Sequence, residues 1–258
     1  MPIALTTGQL EAWVAQGFFP FARIGACLMV APMFGARFVS ARTRIILAVA
    51  ITALVVPMIP TTDVKPFSPQ GLVVVFQQML IGVALGFALQ VVFDALALAG
   101  QLLANSMGLS FAFNIDPLRG SSTPALSQLY VILATFTFLA LDGHVALIQI
   151  LVAGLYGMPV GMTGLGQGGL WQLILWGGTL FSGAIGIALP GVTALLIVNL
   201  AFGVVSRAAP SLNLFAVGFP VSLVVGLLVL LASVAPMQQS FVELLSQGLV
   251  FLRALGKG

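Results

Sequence analysis

The chain has 258 residues, of which 60% are hydrophobic and 6% charged, with a mean hydropathy of +1.18. Soluble domains carry roughly a quarter charged residues, and no stretch here is polar enough to form the outside of one. The whole of residues 1–258 therefore reads as a single all-α integral membrane domain. The net charge of +3 comes from nine scattered basic residues rather than a cluster, which excludes a nucleic-acid surface, and the lone Cys27 cannot form an internal disulfide.

The start lacks the basic region of a cleaved signal peptide and meets its first charge at Glu11, so the first apolar segment is expected to stay attached. Six apolar blocks follow, at 18–34, 45–59, 71–104, 125–158, 170–205 and 214–235. Blocks three to five would each reach about 50 Å as unbroken helices at 1.5 Å per residue, whereas a hydrocarbon core is about 30 Å thick. Either these helices tilt and break, or much of their apolar surface packs on protein beyond the membrane. Pro190-Gly191 is the expected break in block five. Block two, ending near Pro57, is short for a span. Arg37, Arg42 and Arg44 in the first link place that link in the cytoplasm and the N-terminus outside, although Arg253 and Lys257 then fall on the outer side.

Within the blocks, Gly82 and Gly86 form a small-xxx-small pair, and Gly100, Ala104 and Gly108 continue the spacing. Close helix approach follows, either within this chain or between copies. The tail 238–255 places Phe241, Leu245, Leu249 and Leu252 on one helical face and Glu243, Ser246, Gln247 and Arg253 away from it. Its polar face is poor in Lys and Arg, so a protein partner is preferred over the membrane surface.

The segment 105–124, NSMGLSFAFNIDPLRGSSTP, interrupts the apolar text. Gly108, Pro117 and Gly120 break helix there, while Asn105, Asn114, Asp116 and Arg119 need hydrogen-bonding partners. Backbone of this kind survives at membrane depth only where protein covers it or water solvates it. Asp116-Pro117 also reads plainly as the turn before block four. Farther on, Arg207 can bond the last carbonyls of block five, Pro210 prevents continuation, and Asn213 can cap the next helix, so this stretch reads as a structural corner or a subunit contact.

The chemistry inventory is short: one histidine, and no HExxH, GxSxG or GxxxxGK[ST]. No catalytic residue, metal or cofactor is assigned. Asp142-Gly143-His144 in block four and Asp94 in block three are the buried-ionisable candidates for a small secondary transporter or proton channel. A helix end near an interface is the preferred account of Asp142 and His144, and an ion pair with an arginine such as Arg23 is the structural alternative for Asp94.

Four segments resemble the FliR family of the flagellar type III export gate, whose virulence-secretion counterpart is SctT. They are Arg23-Ile-Gly25 with Ala31-Pro32-Met-Phe34, Arg42-Thr-Arg44 and Pro57; then Met107-Gly108 through Phe111 and Asp116-Pro117; then Asp142-Gly143-His144. The most specific is Asn199, Phe202-Gly203, Ser206-Arg207, Pro210, Asn213-Leu-Phe215, Gly218-Phe-Pro220 and Gly226. The resemblance implies a bacterial inner-membrane component of the flagellar basal body, assembled with FliP and FliQ and joined by FlhB into a gate for unfolded flagellar proteins. It further implies kinked helical hairpins, an assembly extending to the periplasmic side, and a plug made by 105–124, including Gly108, Phe111, Phe113, Asp116, Pro117, Arg119 and Gly120. Energy comes from the proton motive force and a separate ATPase, so no cofactor is implied. Membrane lipid surrounds the assembly.

Overall fold

A computed structural model describes residues 7–36, 39–62, 64–109, 125–161, 164–208 and 214–256. Its helices, in chain order, are α1 (Thr7–Val30), α2 (Ala41–Val55, followed by a short 3-10 turn at Val56–Met58), α3 (Pro69–Ser106), α4 (Ala125–Ala140), α5 (Gly143–Gly157), α6 (Gln167–Gly177), α7 (Thr179–Ala208) and α8 (Leu214–Leu255). No strand occurs among the described residues. Five helical stretches are long and apolar enough to cross a membrane, and α4 with α5 makes a sixth if a broken pair counts as one span. The all-α membrane architecture of about six apolar segments therefore stands.

The breaks fall differently from the breakers in the sequence. Block three is unbroken: α3 runs 38 residues, about 57 Å. Block four breaks at Asp142, which adopts a left-handed φ of 54° and whose carbonyl accepts the amides of Val145 and Ala146, both at 3.0 Å. Block five continues as helix through Pro190 and is interrupted at Gly177–Gly178 instead. Block six and the tail are one helix of 42 residues containing Pro220 and Pro236. Proline costs a helix one N–H bond and a clash, but in an apolar setting an intact helix keeps every other backbone group satisfied, so the helix continues through proline rather than unwinding.

Two compact units result. The first comprises Met1–Val91, Asp142–Gly177 and Ser246–Gly258, and the second Val92–Leu141 and Gly178–Leu245. In the first, α1 approaches α3 through Gly82 and Gly86. A Cβ on Gly82 would strike the Arg23 carbonyl oxygen, and one on Gly86 would lie 2.7 Å from the Cys27 carbonyl oxygen. The small-residue spacing is thus used within the chain. A core of Ile24, Leu28, Ala48, Ile51, Val55, Ile59 and Leu155 joins α1, α2 and α5.

Arg23 is fully buried beside this core. Its Nε donates to Gln78 Oε1 at 2.7 Å, Nη1 to Gly154 O at 2.8 Å and Nη2 to Met158 O at 2.8 Å. It therefore caps the C-terminal end of α5, where unsatisfied carbonyls carry partial negative charge. None of the three bonds of Arg23 goes to Asp94. Asp94 lies 16 residues beyond Gln78 on α3 (94 − 78), about 24 Å along the helix, so carbonyl and amide oxygens take the place of a carboxylate.

In the second unit, Phe93 packs edge-on against both Phe138 and Phe241, with centroids 5.5 Å apart in each pair. Such pairs contribute about 0.5–1.5 kcal/mol beyond their burial. The amphipathic reading of 238–255 agrees with the burial pattern: Phe241, Leu245 and Leu252 are buried, Leu249 is partly buried, and Glu243, Ser246, Gln247 and Arg253 are exposed. The preference for protein over the membrane surface is met within the chain, where Phe93 lies against Phe241.

Candidate functional site

The interruption at 105–124 begins with a built helix stop. Gly108 has a left-handed φ of 76°; its amide donates to Asn105 O at 3.1 Å and that of Leu109 to Ala104 O at 3.1 Å. These are the paired 5→2 and 6→1 bonds of a Schellman motif with glycine at C′. The reading of Gly108 as a helix breaker agrees with this: it fixes where α3 ends and the direction in which the chain leaves.

The end of α3 is held from two other helices of the second unit. Asn199 on α7 donates through Nδ2 to the carbonyl of Ser106 at 3.4 Å and accepts at Oδ1 from Ser222 Oγ of α8 at 3.1 Å. Buried Met107 lies against Gly226 of α8, where a Cβ would come within 2.6 Å of Met107 Cγ. One turn earlier, Leu103 occupies the space left by Gly191, whose added Cβ would meet Leu103 Cδ2 at 2.6 Å. Gly191 thus permits a close crossing, which is why the Pro190-Gly191 pair does not end the helix.

The return of the chain is also tied to α3. Ser127 in the first turn of α4 donates to Ala97 O at 2.7 Å, and Gly100 admits the Ser127 backbone, with 2.7 Å between an added Cβ and Ser127 Cα. Both ends of 110–124 are therefore anchored on one helix. Phe111, Phe113, Asp116, Pro117, Arg119 and Gly120 lie outside the described residues, as do Pro210 and Asn213. Arg207 is exposed in the last turn of α7, which ends at Ala208, and Phe215 falls in the first turn of α8, so the helix boundaries match those read from Pro210 and Asn213. Ser222 was not singled out in the sequence. Its signal was a hydroxyl in an apolar block with one amide side chain, Asn199, available in the neighbouring block.

Asp142 and His144 flank Gly143 at the start of α5. Asp142 is exposed at the start of α5 and makes no side-chain capping bond, while His144 is partly buried with Nδ1 unpartnered. Both belong to the first compact unit and Asp94 to the second. No group of three metal-ligating side chains occurs among the described residues.

Residues 14–248 match the family of bacterial export proteins, family 1. Similar relatives include the flagellar biosynthetic protein FliR of Pectobacterium carotovorum subsp. carotovorum, 39% identical over 228 residues covering 88% of this chain and 87% of the relative. The FliR of Escherichia coli K12 is 37% identical, covering 93% and 92%, and that of Aquifex aeolicus is 31% identical, covering 86% of each. The chain belongs to the FliR family. It is accordingly an inner-membrane component of flagellar biosynthesis and protein export, in a family of transport and structural proteins. Membership gives the anchored helix end a context: the polar segment that α3, α7 and α8 hold at its root belongs to a protein of flagellar biosynthesis and export.

Proposed function

We propose that this FliR-family chain is a core subunit of the flagellar export gate, assembling with FliP and FliQ around a channel for unfolded flagellar proteins and joined by FlhB, which regulates opening. In this reading 105–124 is the plug that keeps the channel shut, with Phe111 and Phe113 excluding water and Asp116 and Arg119 holding the closed position. The observation that carries it is the anchoring of both ends of that segment on α3. A fixed exit at Gly108 and a fixed return at Ser127 support the reading of the polar segment between them as a plug. The lengths of α3 and α8, 38 and 42 residues, exceed what a 30 Å hydrocarbon core uses and support an assembly that extends to the periplasmic side.

Two measurements test this. Deleting 111–120 in a chain that still assembles should raise ion leakage across the membrane, and unchanged conductance overturns the plug. Mild detergent extraction should bring FliP and FliQ with the chain. Recovery of this chain alone from cells that make all three overturns the assembly.

A further inference from the structure

A groove in the first compact unit runs between α1, α2 and α3 and encloses about 280 Å3. It exists because small residues line its floor: Gly25 faces the Ala48 side chain, 4.0 Å from where its own Cβ would stand, and Ala22 and Ala26 add only methyl groups. Its walls include Phe18, Met29, Ile45 and Met79, all exposed. These residues sit on helices long and apolar enough to cross a membrane. An α-helix is about 10 Å across and does not enter a space of this size, whereas a single hydrocarbon chain does.

One end of the groove is charged. Arg44 is the one ionisable side chain among the described residues lining it. Its Nη2 donates to the carbonyls of Gly35, Ala36 and Val39 at 3.2, 2.6 and 3.0 Å, and its Nε is buried without a partner. Among the described residues, its hydrogen-bond partners are all neutral carbonyls, so nothing cancels its charge. An apolar slot lined by one uncancelled cation beside a helix terminus matches an amphiphile with an anionic head, and basic pockets between membrane helices favour anionic phospholipids. We propose that this groove seats one acyl chain of an anionic phospholipid, with its phosphate at Arg44.

The full-length protein in neutral detergent is offered phosphatidylglycerol or phosphatidylcholine of matched acyl chains, and bound lipid is counted by native mass spectrometry. Phosphatidylglycerol should be retained preferentially. Arg44→Gln should reduce that preference about fivefold, the effect of one basic residue near an anionic headgroup. Arg44→Lys, which keeps the charge while losing the fork that holds the loop carbonyls, should preserve it. Ala22→Trp should fill the groove and release both lipids with circular dichroism unchanged. A photo-crosslinking residue at position 22 keeps the test open if that variant fails to fold, and should label lipid in native membranes. Equal retention of the two lipids, loss of preference in Arg44→Lys, retention by folded Ala22→Trp, or crosslinking at position 22 to a polypeptide each overturns the proposal.

Discussion

Replacing Arg23 with methionine tests the account of the first unit most directly. The guanidinium serves three acceptors, and removing it does not orphan all of them equally. Gly154 O still accepts the Met158 amide at 2.9 Å, whereas Gln78 Oε1 and Met158 O lose the donors at 2.7 and 2.8 Å. A buried acceptor left unsatisfied costs about 1–3 kcal/mol, so two cost about 2–6 kcal/mol. Relief from desolvating a cation offsets part of this, since replacing a buried charge by an apolar side chain recovers energy whenever its partners go too. The expected net loss for Arg23→Met is about 3 kcal/mol, read as the shift in unfolding free energy in mixed detergent micelles. Adding Gln78→Met removes one orphan and its own unpartnered Nε2, and should return about 1–2 kcal/mol. A single variant as stable as the parent, or a double variant no better than the single, refutes the argument that these acceptors depend on Arg23.

Three further outcomes concern the root of the interruption. Gly108→Ala places a Cβ at φ 76°, costing about 1–2 kcal/mol; hydrogen exchange at Gly108 and Leu109 should accelerate, and unchanged exchange there argues against the Schellman stop. Asn199→Ala removes two hydrogen bonds at a partly solvated site, about 1 kcal/mol in total at the usual net value. Asn199→Asp keeps the acceptor for Ser222 but sets a carboxylate against Ser106 O, so export of flagellar proteins should fall further for Asp than for Ala; equal export in both removes Asn199 from the anchor. Gly226→Val forces β-branched bulk into Met107 and should cost about 1–3 kcal/mol by overpacking. Adding Met107→Ala should restore part of that thermal stability, and no rescue means the two residues are not in contact.

Much of the fold was legible because it depends on neighbours in the chain. Apolar runs marked the spans, and helical periodicity in 238–255 identified Phe241, Leu245 and Leu252 as the covered face. Glycine spacing identified where α3 permits close approach. The candidate segment was equally visible, since glycine, proline and charge stand out against lipid-like text. Its root agrees with the reading of Gly108 as a helix breaker, but the form of the stop was not legible, because the bonds to Ala104 and Asn105 exist only once α3 does.

Errors elsewhere share that cause. Pro190 was read as a break because proline opposes helix locally, yet apolar surroundings and the Leu103 contact at Gly191 keep α7 intact. Arg23 was offered an acid because sequence lists charges and not carbonyls; its partners at Gly154 and Met158 stand 131 and 135 residues away. The sequence by itself determined that this is a helical membrane protein with one polar interruption, because hydropathy and periodicity are properties of contiguous residues. Only tertiary structure decided which helix each glycine admits, what satisfies the buried arginine, and that Asn199 and Ser222 hold the end of α3, because those are meetings between residues that the chain separates and folding brings within hydrogen-bond reach.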